Sequence, residues 1–227
     1  DSNGQNIETG GSALASLDKI DVSKADKRLK ESDFLVACDV NNPLTGTEGA
    51  SAVYGPQKGA TPKMVTRLDA ALLHFANVVK RDLGTEINNI PGAGAAGGLG
   101  GGFIAFLNGK LRTGVDIVLD TIGIDEHLKN VSLVITGEGQ MDFQTIYDKA
   151  PIGVARRAKV RGIPVIGISG SLGKNFTDVH RHGIDAASAI TIAPMSLEEA
   201  SQKAPDLITS VTVQSLRLMK LGADVFC

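Results

Sequence analysis

The chain has 227 residues, enough for one large domain or two small ones, so core size sets no limit on folding. Its 23 Lys and Arg against 25 Asp and Glu leave a formal charge of −2, which favours neither a nucleic acid nor an anionic membrane as partner. With 27 Gly, few aromatics and no Trp, the composition suits tight loops between small aliphatic strands.

The longest apolar runs are strand-length, far short of the roughly 20 residues of a membrane span, and no signal-peptide pattern is visible. Cys38 in a strand pattern and Cys227 at the end make no disulfide framework, so a reducing, cytoplasmic setting is expected. The opening Asp1-Ser2-Asn3-Gly4-Gln5-Asn6 is polar turn material, and we expect a chain cut from something longer.

Residues 1–24 read as loop with a weak apolar pattern around Leu14 and Leu17. Phe34 to Cys38 is a compact strand candidate, closed by the turn formers Asp39-Val40-Asn41-Asn42-Pro43. Residues 46–60, with Gly49, Gly55, Pro56 and Gly59, read as a long irregular loop. Thr61-Pro62 then opens a helix, Thr61 as N-cap and Pro62 in the first helical position. Met64, Leu68, Ala71, Leu72, Phe75 and Val79 recur at three- and four-residue spacing and predict one buried face, with the end near Leu83-Gly84. After a Gly/Ala-rich run, residues 103–107 and 115–119 read as two further helical segments.

From Val131 the rhythm is regular. Residues 131–135 predict a strand, 136–145 a loop, 151–161 a helix with Gly162 as C-cap, and 164–168 a strand. A loop at 169–174, a short helix near 178–181 and a strand at 186–192 follow. The last helix opens with the capping box Ser196-Leu197-Glu198-Glu199 and carries Leu207, Ile208, Val211 and Leu218. Strands alternating with helices imply an α/β fold with a parallel sheet and ligand loops on one edge. A domain boundary is expected near residue 130.

The stretch from Thr136 to Thr145 carries most of the chemistry. It gathers two glycines, Glu138, Gln140, Asp142, Gln144 and hydroxyls after an apolar strand, where open α/β sheets place their ligands. The plainer alternative is that Glu138 and Asp142 cap the next helix. Gly92 to Gly97 matches G-x-G-x-x-G by letter, yet it follows no strong strand, and Asp116 and Asp120 sit in a helical pattern rather than at a strand end. Close packing of small residues, or an anion cradle of backbone N–H groups, are the other readings.

Gly170 to Lys174 is not a Walker motif, because the glycine spacing is one residue too long and Asn175 stands where a hydroxyl belongs. It still suits anion contact through Ser169 and Ser171, or an ordinary connecting loop. Asp39 beside Asn41 and Asn42 suits a polyhydroxy acid, or a simple Asx turn. Lys58 and Lys149 lie next to turns where a cation meets phosphate, or are merely solvated. His74, His127, His180 and His182 form no zinc spacing, and no G-x-S-x-G elbow exists.

Four segments together resemble the type 1 glycerate kinase family of bacterial sugar-acid kinases. They are Val36 to Gly46, Gly49 to Thr61, Pro91 to Gly100, and Thr136 to Thr145 with Lys149 to Val154, in the family's order from Asp33 onward. Asp148 stands where the family usually has glycine, and Gln140 where arginine is common. The resemblance implies two α/β domains with an active-site cleft between them, 1–130 an inserted domain and 131–227 the C-terminal part of a flavodoxin-like domain. The family's N-terminal third is expected to be missing.

The resemblance further implies ATP- and Mg²⁺-dependent phosphorylation of D-glycerate. Asp39, Asp142 and Lys58 are then the candidate catalytic residues, with Glu138 and Asp142 holding the metal. Asn41, Asn42, Gln144 and Ser169 would bind the acid, and Gly94, Gly97, Gly98, Lys149 and Ser171 the phosphates. The expected partners are the acid and the nucleotide, with a homodimer as the assembly. A non-catalytic sugar-acid binding module and an NAD-linked oxidoreductase are the competing functions.

Overall fold

The computed structural model describes residues 1–226, so Cys227 lies outside the described residues. Two compact units emerge, Asp1–Gly114 and a second from Val115 onward. The division lies upstream of the boundary expected near 130.

The first unit begins in irregular chain with 3-10 turns at Gly11–Ser16 and Lys27–Glu31. The short strand β1 (Leu35–Ala37) follows. The segment expected to be an irregular loop instead contains helix α1 (Ala50–Tyr54) and a 3-10 turn at Pro56–Lys58. Its glycines misled the reading because they permit contact rather than disorder. A Cβ on Gly49 would lie 2.4 Å from the Thr45 carbonyl carbon, and one on Gly55 2.4 Å from the Ser51 oxygen.

Helix α2 (Pro62–Leu83) begins and ends as predicted. Thr61 Oγ1 accepts from Met64 N, Pro62 occupies the first turn, and Gly84 closes the helix at φ +72°. Leu72, Phe75 and Val79 are buried, each contributing roughly 1.5–3 kcal/mol by leaving water. Leu14, Leu17 and Ile20 of the opening segment pack on this face, and Asp82 fastens it by accepting from Ile20 N at 2.8 Å.

Helix α3 (Ala95–Leu107) has a kinked start, with Ala96, Gly97 and Gly98 at positive φ. The strand β2 (Lys110–Arg112), absent from the sequence reading, pairs in parallel with β1. Three residues of mixed polarity are too few to show a period.

In the second unit, helix α4 (Gly114–Thr121) starts at the boundary, and helix α5 (Ile124–His127) and a 3-10 turn (Leu128–Asn130) precede the sheet. Strands β3 (Val134–Met141), β4 (Val165–Leu172) and β5 (Ala186–Ala189) form a parallel sheet in the order β3-β4-β5. Helix α6 (Ala150–Lys159) crosses between β3 and β4, with the 3-10 turn Phe176–His182 between β4 and β5. Leu128 and Val134 pack with Ile152, Ala155 and Val165 in one core, which explains why residues before 130 belong to this unit. Val115 does the same, since Gly153 on α6 leaves room for it.

Two loops of the sequence reading are strand. Residues 136–141 extend β3 and residues 169–172 extend β4, with Glu138 opposite Ser169 and Gln140 opposite Ser171. Their glycines let the backbones close: a Cβ on Gly137 would lie 2.0 Å from Ile168 O, and one on Gly170 2.4 Å from Gly139 O. Polar side chains on an extended strand therefore looked like loop.

Strand β5 stops at Ala189, short of the expected 192. The last helix is two, α7 (Leu197–Gln202) and α8 (Ala204–Phe226), broken at Lys203 ahead of Pro205. Ser196 caps α7 by accepting from Glu199 N, as its capping box predicts. Leu207 and Val211 are buried against Ile166, Ile168 and Ile190, whereas Ile208 and Leu218 are exposed.

Candidate active site

The acidic stretch of the second unit is organised by Thr145, whose hydroxyl the sequence places in this stretch without assigning it a role. Its Oγ1 donates to Glu138 Oε1 at 2.6 Å and accepts from Asp142 N at 2.9 Å. Asp142 Oδ1 accepts from Gln144 N at 2.8 Å, and Asp142 O from Thr145 N at 3.0 Å, so 142–145 is a tight turn at the end of β3. Thr145 is 1% exposed, so one buried hydroxyl holds the Glu138 carboxylate and the Asp142 main chain together, while the Asp142 carboxylate is held by Gln144 N. A threonine three residues after Asp142 was the available signal.

Neither carboxylate caps α6, whose N-cap is Lys149 with no side-chain bond. The capping alternative therefore falls. Lys149 is exposed, and Gln144 stands exposed on the turn. Asp148, at φ +52°, is answered by Arg156, whose Nη1 donates to its Oδ1 at 3.1 Å. Its charge is thus spent away from Lys149.

Beside Glu138 lies a hollow of about 530 Å³, in the size range of small-ligand sites. Ile135, Ile168, Ile190, Leu197 and Ile208 make it apolar, while Thr136, Glu138 and Ser169 supply polar groups. Ser169 is buried, and its hydroxyl donates to Ser171 O at 2.8 Å. These two serines sit on β4 rather than on a loop, with Ser169 directly across from Glu138.

In the first unit, Asp39 follows β1 and is exposed, with Oδ1 accepting from Gly114 N at 2.8 Å. It is held by a distant amide rather than by a local Asx turn. Asn42 is largely committed: Nδ2 donates to Glu48 O at 2.8 Å and Oδ1 accepts from Tyr54 Oη at 2.6 Å. Asn41 is exposed. Lys58 is exposed and lines a second hollow of about 170 Å³ with Ser51, Tyr54 and Gly97.

The glycine run divides between both earlier readings. A Cβ on Gly94 would strike Pro43 O at 2.2 Å, and the Gly94 amide is spent on Asn42 O. The Gly98 amide goes to Gly94 O at 3.3 Å. Gly97, at φ +75° with open space around it, has an N–H with no backbone acceptor among the described residues, as does Ala96. Of the expected cradle Gly94, Gly97 and Gly98, only Gly97 offers its amide. Residues 88–91 ahead of the run form a turn, so the strand that a dinucleotide fingerprint requires is absent.

Among the described residues, no group of three or more His, Cys, Asp or Glu is placed to hold a metal. Two carboxylates fit Mg²⁺ nonetheless. That ion keeps several waters and is usually held by one or two carboxylates plus substrate phosphates. Glu138 and Asp142 each have one oxygen engaged by a protein donor and the other without a partner among the described residues.

Comparison with known proteins gives this geometry a context. The model of the Glycerate kinase family matches residues 1–220. A glycerate kinase of Halalkalibacterium halodurans is 53% identical over 206 residues, 91% of this chain and 54% of its own length. A glycerate 2-kinase of Escherichia coli K12 is 48% identical over 222 residues, 98% of this chain and 58% of its own. A solved structure from Salmonella typhimurium LT2, assigned there to glycerate kinase 2, superposes with a TM-score of 0.79 at 45% identity, covering 99% of this chain and 58% of that one. This chain spans a little over half the length of these relatives. A family model running through both units, and a solved relative sharing the arrangement of strands and helices, lead to one conclusion: the chain belongs to the glycerate kinase family.

Proposed function

We propose that this chain carries the acid- and phosphate-handling groups of an enzyme that transfers the γ-phosphoryl group of ATP to D-glycerate. The observation that carries this reading is the pair Glu138–Asp142, locked by Thr145 at the carboxyl end of β3, in a chain of this family. The name of the Escherichia coli relative supports the 2-phosphate as product. A cytoplasmic setting and a homodimeric assembly are part of the proposal.

Phosphoryl transfer is catalysed chiefly by positioning and by neutralising charge, so few side chains need to change protonation. Asp39 has one oxygen fixed by Gly114 N, which leaves the other to orient the acceptor hydroxyl and receive its proton. Asn41 and Asn42 flank it, Asn42 with one N–H and one lone pair still to offer. Glu138 and Asp142 would hold Mg²⁺ through their open oxygens. That ion, when bound, supplies charge neutralisation on the phosphate oxygens. Lys58, Lys149, Ser171 and the Gly97 amide would meet the remaining phosphate charge, and Gln144 and Ser169 the acid. The apolar hollow beside Glu138 offers room for the nucleoside.

Asp39→Asn and Asp142→Asn, made in the full-length protein and assayed by coupled ADP release, are each expected to lower kcat by about 100-fold or more. Near-normal turnover in either variant removes that residue from its role. Titration with glycerate and with Mg-ATP separately tests the whole reading, because a chain that takes the acid and never the nucleotide is a binding module and not a kinase.

A further inference from the structure

The smaller hollow of the first unit contains a group that the folded chain leaves unused. Ser51 is 7% exposed and lines this hollow, yet its hydroxyl has no hydrogen-bond partner among the described residues. Among the described residues, no side-chain nitrogen or oxygen that is fully closed off lacks a partner, so the Ser51 hydroxyl opens into the hollow. A hydroxyl that lines a hollow and bonds no protein group keeps its donor and acceptor available to a ligand. Gly97 lines the same hollow, and its amide and that of Ala96 have no backbone acceptor. Ala96 at φ +50° and Gly97 at φ +75° leave the helical path, which keeps their N–H groups out of the helix ladder at the start of α3. Lys58 lines the hollow with no carboxylate partner among the described residues. Tyr54 completes it and ties it to Asn42 through its hydroxyl at 2.6 Å.

We infer that Ser51 Oγ, Lys58 Nζ and the amides of Ala96 and Gly97 form an oxyanion site contained within the first unit. One hydroxyl, two backbone amides and one cation suit a single carboxylate or phosphoryl group, and Leu14, Leu68 and Leu72 make the rest of the wall apolar. The inference deepens the kinase reading and rests on it for the choice of ligands. One oxyanion chemistry has two sources there, the carboxylate of the acid and a phosphoryl group.

The test is an amide-resolved NMR titration of the ¹⁵N-labelled 227-residue chain with D-glycerate, inorganic phosphate and uncharged glycerol. We expect saturable shifts at Ala96 and Gly97 with at least one of the two anions and none with glycerol. Glycerate alone identifies the carboxylate as occupant, and phosphate the phosphoryl group. Ser51→Ala and Lys58→Gln are each expected to raise Kd about tenfold, since each deletes a charge-assisted hydrogen bond. Lys58 is exposed, so Lys58→Gln keeps the test alive should Ser51→Ala fail to fold. Shifts with neither anion, or wild-type Kd in the folded variants, overturns the site. Turnover is not read in this titration, so ADP release in the full-length protein decides the kinase reading separately.

Discussion

Thr145 shows how one hydroxyl sets a site. It is donor to Glu138 and acceptor for the Asp142 amide, so removing it frees one carboxylate and leaves a half-buried N–H without a partner. Thr145→Val keeps the shape and is expected to cost about 1–3 kcal/mol, read as a lower midpoint in urea unfolding. Thr145→Ser is expected to restore most of that stability; a valine variant as stable as wild type would show that the hydroxyl organises nothing. At this scale the sequence was informative about residue type and silent about pairing. Glu138, Asp142 and Asp39 were recognisable as chemistry-bearing groups. Thr145 and Ser51 were not, because a hydroxyl acquires meaning only from what is folded against it. Gly94 and Gly97 carry the same letter and differ in the same way. One gives up its amide to Asn42 O and the other does not.

Among the elements, α2 was legible in its bounds, caps and most of its buried face along 22 residues, although Met64 in its first turn, expected on that face, is exposed. The strands β3 and β4 were half legible. Their apolar beginnings were read, and their polar, glycine-bearing ends were taken for loop. Helix α6 illustrates a constraint that no local pattern reveals. A Cβ on Gly153 would come within 2.5 Å of Val115 Cγ2 and 3.2 Å of Leu119 Cδ1, so the glycine sets how closely α4 approaches. Gly153→Ala gains about 1 kcal/mol of helix propensity. It loses about 1–3 kcal/mol to overpacking of a buried contact. We expect net destabilisation, measured by thermal unfolding, and relief of it by Val115→Ala in the same chain. A Gly153→Ala variant more stable than wild type would mean that the two helices separate at no cost.

For the molecule as a whole, two carboxylates bind distant segments together and give stability its acid limb. Hydrogen bonds from Arg81 and from Ile20 N hold the Asp82 carboxyl down at about 2, against an ordinary 3.8. Lys159, and then Val165 N, hold Asp185 below its usual range. A depressed carboxylate stabilises the fold above its unfolded pKa, and that contribution is lost as pH falls through the folded value. The melting temperature is therefore expected to be flat above about pH 5 and to fall between roughly pH 4 and pH 2. Asp82→Asn should lower the plateau and shallow that limb, since the opening segment loses its anchor on α2; a limb identical to wild type would rule Asp82 out as a source of acid sensitivity. The network of Arg157 with Asp116, Asp120 and Asp125 joins α4, α5 and α6 in the second unit. Being partly exposed, it is expected to contribute little.

What the sequence determined by itself was the α/β class, the strongest helices and the kinds of group available for chemistry, because these follow from local periodicity, caps and side-chain type. What the tertiary structure alone decided was which glycines are contacts and which are open amides, which hydroxyls are spent, and where polar residues continue a strand. Those depend on atoms brought close from far along the chain, and no local pattern encodes them.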